Sequence, residues 1–116
     1  MGLDRERALK VAGAFGGGMA RMGETCGAVT GALMVIGLKY GNTKTGDDGA
    51  RERTYELVEE FVTRFKSRHG SIVCRELLGY DLSNPEERTA ARKKGLFTTL
   101  CPKLVRDATK ILEEIL

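Results

Sequence analysis

The sequence is poor in histidine, and His69 is its single imidazole among 116 residues. A metal site built from several histidines is therefore excluded. A serine–histidine–aspartate centre would also depend on His69, and the chain has no G-x-S-x-G motif to supply the nucleophile. Both classes of catalytic site are set aside on these grounds.

Long hydrophobic runs are also lacking. The longest apolar stretch, residues 28–38, is interrupted by Thr30, Gly31 and Gly37 and is too short to span a bilayer. The first ten residues, MGLDRERALK, are charged and lack the apolar segment of a signal peptide. We therefore expect no membrane contact and a cytoplasmic, reducing location.

Charge of one sign is not in marked excess. The 19 basic and 16 acidic side chains leave a net charge of +3, spread evenly along the chain, which argues against nucleic-acid binding. Hydrophobic residues make up 41% and charged residues 30%, as in globular proteins. The length suits one domain spanning residues 1–116.

The cysteine count is small and odd, with Cys26, Cys74 and Cys101. An odd number excludes a closed disulfide framework, so one thiol must stay free, pair between chains or bind a ligand. No two cysteines have C-x-x-C spacing, so neither a thioredoxin-type motif nor a zinc ribbon is indicated. In a reducing compartment, exposed cysteines usually take part in redox chemistry or metal ligation.

Glycine, in contrast, is abundant. Eleven of the fifteen glycines lie between Gly13 and Gly49. Glycine costs about 1 kcal/mol per helical position relative to alanine, so repeated glycines need a reason such as close approach by a backbone or a flat group. We take four of them as candidate cofactor-binding positions: Gly17, Gly18, Gly27 and Gly31.

The hydrophobic periodicity is helical throughout, and no stretch alternates with period two for long enough to form a strand. It predicts a compact all-α domain of five to six helices around a central, glycine-rich apolar helix. A polar loop is expected at residues 42–49. The predicted helices cover residues 5–15 after an Asp4 cap, 24–40, 50–69, 72–78, 85–94 after a Ser83 cap, and 101 onward.

Each cysteine falls near a predicted helix start. Cys26 begins the glycine-rich helix, Cys74 lies in the first turn of a short helix, and Cys101 directly precedes Pro102. A helix N-terminus stabilises a thiolate, so lowered thiol pKa values are expected, with Arg75 acting in the same direction at Cys74. The alternative is that the cysteines are small hydrophobic core residues.

Three motifs in order resemble the C-GCAxxG-C-C family of redox-active proteins. Residues 26–31, CGAVTG, match its C-G-A-x-x-G core and follow the segment FGGGM at 15–19. Residues 74–79, CRELLG, match a second segment, and Cys101 stands ahead of a helical tail as the last family cysteine does. The resemblance implies that the three cysteines act together.

One departure from that family pattern is the cysteine count. The family has a fourth cysteine in an N-terminal helix, upstream of the glycine-rich turn, and no cysteine precedes Cys26 here. A four-thiolate metal or iron–sulfur site would therefore lack one ligand within a single chain.

Three functional hypotheses follow. The first is a small thiol redox protein in which Cys26 is a low-pKa thiolate, Cys74 or Cys101 is its partner, and an unidentified redox partner exchanges electrons with it. The second is a binding module whose three thiolates hold a metal or an iron–sulfur cluster. The third is a non-catalytic helical assembly protein, with residues 55–65 or 111–116 forming a homodimer surface.

Overall fold

Helices account for the regular secondary structure of the computed structural model, which describes residues 3–41, 46 and 48–116. The all-α prediction is confirmed, and residues 42–45 and 47 of the predicted polar loop lie outside the described part. Six helices are present in those described ranges: α1 (Arg5–Ala12), α2 (Gly27–Tyr40), α3 (Asp48–His69), α4 (Cys74–Leu78), α5 (Pro85–Lys93) and α6 (Leu96–Ile115).

The main core lies between α2, α3 and α6, which pack against one another. Each helix contributes three buried apolar side chains to it, at the three- and four-residue spacing of a helical face. The set is Val29, Ala32, Ile36, Leu57, Phe61, Phe65, Leu104, Ala108 and Ile111. The sequence analysis offers residues 55–65 or 111–116 as a homodimer surface. Much of the apolar surface of both segments is buried within the chain.

Helix α2 forms one side of this core and is not enclosed all round. Only Val29, Ala32 and Ile36 are fully buried in it, and Leu38 is 49% exposed. Helix α1 lies at the periphery and buries no residue. Its predicted cap is confirmed, because the Asp4 carboxylate accepts a hydrogen bond from the Arg7 amide at 2.8 Å.

A second, smaller buried cluster joins α4, α5 and the first turns of α6. It contains Cys74, Leu78, Leu82 and Ala91, with Phe97 and other side chains packed against it. The boundary between the two clusters is where the candidate site lies.

The start of α6 differs from the sequence prediction. The helix begins at Leu96, after Gly95 with a φ of 74°, and Pro102 lies inside it. Cys101 is therefore in the second turn, and its predicted placement at a helix N-terminus is wrong. Proline inside a helix removes one backbone donor and crowds the carbonyl four residues earlier. Packing of Leu96 and Phe97 on the second cluster offsets this effect and holds the earlier turn in helical form.

The cap of α5 also differs. The Asn84 side chain accepts hydrogen bonds from the amides of Glu86 and Glu87 at 2.9 and 3.2 Å. Ser83, the predicted cap, instead donates to the Asp81 carboxylate. None of the described helices is both long and apolar enough to cross a membrane.

Candidate functional site

Two cysteines are brought together by a short backbone pairing. An isolated antiparallel bridge joins Thr25 to Val73, immediately before α2 and α4. The Cys26 amide donates to the Ile72 carbonyl at 2.8 Å, and the Cys74 amide donates to the Glu24 carbonyl at 2.6 Å. Cys26 is consequently the N-cap residue of α2, and Cys74 is the first residue of α4.

The register of this bridge determines where the two side chains point. Successive side chains of an extended segment point to opposite faces. Since Thr25 and Val73 oppose each other, the residues that follow them, Cys26 and Cys74, share the other face of the pairing. This bridge could not be predicted from the sequence, because a single residue pair leaves no period-two pattern.

A left-handed turn precedes the bridge. Five consecutive residues, 17–21, have positive φ, from 52° at Ala20 to 69° at Gly18. Such a φ costs roughly 1–2 kcal/mol for a residue other than glycine, and Met19, Ala20 and Arg21 all adopt it. The turn is held at its end by the amides of Gly23 and Glu24, which donate to the carbonyls of Gly17 and Gly18.

Gly18 lies directly against Cys74. A Cβ atom at residue 18 would be 2.6 Å from the Cys74 Cβ and 2.7 Å from the Glu24 nitrogen. At Gly27 the nearest such neighbour would be the Phe15 carbonyl oxygen at 3.4 Å, whereas at Gly31 nothing lies within 4 Å. The close approach expected at the glycines therefore occurs at Gly18, at Gly17, where Arg21 is the neighbour, and more loosely at Gly27.

All three cysteines line one cavity of about 210 Å³. Cys26 enters from the N-cap of α2, Cys74 from the first turn of α4, and Cys101 from the second turn of α6. Gly17, Gly18 and Gly27 also border it, whereas Gly31 borders a neighbouring groove on α2.

The rest of the cavity wall is apolar, and sequence reasoning had assigned it no role. It is formed by Ala28 of α2, Leu77 and Leu78 of α4, Leu82, and Phe97, Leu104 and Val105 of α6. Their signal in the sequence was ordinary helical periodicity, which does not separate a cavity wall from any other core surface.

The family model described as "Putative redox-active protein (C_GCAxxG_C_C)" matches residues 1–115. The chain belongs to this family. The three motifs that resembled it, at 15–31, 74–79 and 101, each contribute residues to the cavity wall of this C_GCAxxG_C_C protein. No curated protein and no solved structure matched the chain.

In the C_GCAxxG_C_C cavity, the pKa values of the Cys74 and Cys101 thiols are raised, although the sequence predicts that they are lowered. Burial, followed by the neighbouring Cys26, Cys101 and Asp81, raises the pKa of Cys74 to about 11. Burial and Cys26 also raise the pKa of Cys101. Desolvation disfavours the charged thiolate, and the like charges of adjacent thiolates add to the effect.

The helix positions explain why no compensating stabilisation appears. Helix α4 has five residues and hence a short column of aligned peptide dipoles, and Cys101 is not at a helix end. The Arg75 guanidinium is turned away to the Gly23 carbonyl at 3.2 Å and the Glu24 carboxylate at 3.1 Å. The predicted lowering of the Cys74 and Cys101 pKa values is therefore wrong.

The three thiols do not form a preformed metal site. In the described ranges, no group of three or more histidine, cysteine, aspartate or glutamate side chains is arranged to hold a metal ion. His69 lies away from the cavity wall, with its Nε2 3.0 Å from the Asp107 carboxylate. A role of Cys26, Cys74 and Cys101 as ligands of a metal or an iron–sulfur cluster stays a prediction that this geometry does not favour.

Proposed function

We propose that this protein is a cytoplasmic thiol redox protein that reduces small disulfides by thiol–disulfide exchange, with Cys26 and Cys101 as its exchanging thiols and Cys74 as the third thiol of the site. The observation that carries the proposal is the convergence of three free cysteines from three separate elements on one cavity of about 210 Å³. Three unrelated core cysteines would not be expected to share one cavity wall. Gly17, Gly18 and Gly27 border the same cavity, and we assign them to the wall that a bound ligand would contact.

Cys26 is the residue we assign to the first step. It is half-buried, whereas Cys74 is 5% exposed, so a substrate sulfur reaches Cys26 more readily. It is the N-cap residue of the 14-residue helix α2, its side chain makes no cap hydrogen bond, and it lines the cavity. The Cys26 thiol loses its proton to solvent, and the thiolate attacks one sulfur of the substrate disulfide.

That attack breaks the substrate S–S bond and releases one thiolate, which takes up a proton. A mixed disulfide between Cys26 and the remaining half of the substrate is left. A second protein thiolate then attacks the Cys26 sulfur, forms an intramolecular disulfide and releases the second substrate thiolate. Two protein thiols are oxidised and one substrate disulfide is reduced, so two electrons are transferred.

Cys101 is the partner we assign to the second step. Burial and the Cys26 charge raise its thiol pKa, and a Cys26 mixed disulfide carries no charge, so only burial still opposes Cys101 ionisation. Cys74 remains opposed by burial, by Cys101 and by Asp81. A dithiol supplied by the redox partner returns the protein to its reduced form.

Trapping of the mixed disulfide tests this assignment. Reduced wild-type protein and its Cys26→Ala, Cys74→Ala and Cys101→Ala variants are incubated with bis(2-hydroxyethyl) disulfide and analysed by intact-protein mass spectrometry. Cys101→Ala should accumulate a hydroxyethylthio adduct on Cys26, because the resolving thiol is missing. Cys26→Ala should form neither the adduct nor the intramolecular disulfide.

The Cys74→Ala variant serves as the matched control, since it removes a cavity thiol that is not assigned to either step. It should still form the intramolecular disulfide. If adduct formation is equal in all four proteins, or absent from all, the exchange mechanism is contradicted. Circular dichroism of each variant ensures that a negative result is not the result of unfolding.

A further inference from the structure

A second, open groove adjoins the cysteine cavity and is lined by three arginines. Its volume is about 550 Å³, and Arg21, Arg88 and Arg92 form its charged wall. Gly17, Leu82 and Phe97 border both the groove and the cysteine cavity. A molecule lying in the groove would therefore be adjacent to the cavity that contains the sulfurs.

The three arginines come from two parts of the fold. Arg88 and Arg92 are four residues apart on α5, so they occupy the same face of that helix. Arg21 comes from the left-handed turn, at a φ of 67°. Their convergence on one groove could not be found from sequence spacing, since 67 residues separate Arg21 from Arg88.

No carboxylate in the described part of the chain neutralises these guanidinium groups. Within the described ranges, no carboxylate lies within ion-pairing distance of Arg21, Arg88 or Arg92, whereas Arg64 and Arg68 both pair with Glu114. The groove wall also contains no acidic residue. Three cations held on one concave surface favour the binding of an anion.

The glycine-rich turn connects the two sites. A Cβ atom at Gly17 would lie 3.0 Å from the Cα of Arg21 and 3.2 Å from its Cγ, so glycine lets the Arg21 side chain pack across the turn. The next residue, Gly18, makes the corresponding close contact with Cys74. Adjacent glycines of one turn thus position an arginine on one side and a cysteine on the other.

We propose that this groove binds the anionic end of a small molecule, through carboxylate or phosphate oxygens, and directs the rest of that molecule to the cysteine cavity. Guanidinium groups form paired hydrogen bonds with both kinds of oxygen. The groove volume is in the range of small-molecule sites. The link to sulfur chemistry rests on the proposed function, whereas anion binding by the groove does not.

Calorimetric titration with pyrophosphate and, separately, with citrate tests the groove without using the thiols. Wild-type protein should bind at least one of them, and the preferred probe distinguishes a phosphate from a carboxylate site. Arg21→Gln and Arg88→Gln should each weaken that binding about tenfold. The exposed Arg106, which is not part of the groove wall, supplies a control of equal charge change, and Arg106→Gln should bind like wild type.

A series of small disulfides of different charge tests the connection between the two sites. The rate of reduction should be highest for anionic dithiodiglycolate, lower for neutral bis(2-hydroxyethyl) disulfide and lowest for cationic cystamine. Arg88→Gln should remove most of this preference, measured as the ratio of the rates with the anionic and the cationic disulfide, but Arg106→Gln should keep it.

The two experiments separate the two proposals. The protein could reduce all three disulfides at the same rate and bind neither pyrophosphate nor citrate. This result would contradict anion binding by the groove and would still agree with the exchange mechanism. Anion binding that depends on Arg21 and Arg88, in a protein whose thiols are inert, would support the groove and contradict the exchange mechanism. If Arg88→Gln and Arg106→Gln lose anion affinity equally, the effect is one of general charge, and the proposal that the groove binds the anion is contradicted.

Discussion

At the scale of single residues, Gly18 has little freedom to change. Its φ of 69° is unfavourable for any residue with a Cβ, and a Cβ there would also overlap Cys74. Sequence reasoning had chosen Gly17, Gly18, Gly27 and Gly31 together, on composition and motif alone. Only the structure separates them, because steric contact across the chain cannot be read from spacing.

Replacement of Gly18 and of Gly31 by alanine should have opposite effects. Gly18→Ala should lower the free energy of unfolding by about 2–4 kcal/mol, through the left-handed φ and the overlap with Cys74. Gly31→Ala, in the interior of α2 with open space around it, should raise it by up to about 1 kcal/mol. Urea denaturation measures both, and equal effects would contradict the described packing.

The buried Cys74 thiol should make stability depend on alkaline pH. Its pKa is raised from about 9 to about 11, so the folded protein keeps the proton that the unfolded chain releases. The protonated Cys74 thiol contributes fully to the free energy of unfolding below pH 9. As the pH rises to about 11, this contribution falls by roughly 2–3 kcal/mol.

Urea denaturation between pH 8 and 11 of wild-type protein and Cys74→Ala measures this contribution. The wild type should lose stability more steeply than the variant over that range, because alanine has no proton to release. The two proteins are compared by the slope of unfolding free energy against pH, because the cavity that alanine leaves lowers stability equally at every pH. Parallel curves would mean that Cys74 is not shielded from water as described.

At the scale of elements, the helices were predictable and the connections between them were not. The periodicity of α3 and the Asp4 cap of α1 are local signals, so the sequence alone predicted them. The Thr25–Val73 bridge depends on a single long-range pair, and the left-handed turn includes Met19, Ala20 and Arg21, residue types that rarely adopt positive φ. These two connections place the cysteines.

The cap of α5 shows the same distinction on a smaller scale. Ser83, Asn84 and Pro85 form a helix-start signal, and its local chemistry did not determine which of the first two side chains would accept from the helix amides. Asn84→Ala should cost about 1 kcal/mol of unfolding free energy, since it removes two acceptor contacts. Ser83→Ala should cost less than about 0.5 kcal/mol. Thermal or urea denaturation compares them, and a larger loss at Ser83 would contradict the assigned cap.

At the scale of the whole molecule, two buried clusters meet around the cysteine cavity, and the arginine groove opens beside it. The C_GCAxxG_C_C motifs, which are far apart in the sequence, come together at this boundary. The family resemblance implied that the cysteines act together, and the cavity supplies a physical arrangement in which they can. The sequence could not reveal the apolar wall, and the burial of two thiols beside it raises their pKa values.

The most direct test of the account is the identification of the disulfide formed when the native, reduced protein is treated with excess bis(2-hydroxyethyl) disulfide. Peptide mapping by mass spectrometry after alkylation of the remaining thiols gives the linkage. We predict a protein lighter by two hydrogen atoms, with Cys26 linked to Cys101 and Cys74 alkylated only after unfolding. A folded protein in which no intramolecular linkage forms and all three thiols remain free would contradict the central claim.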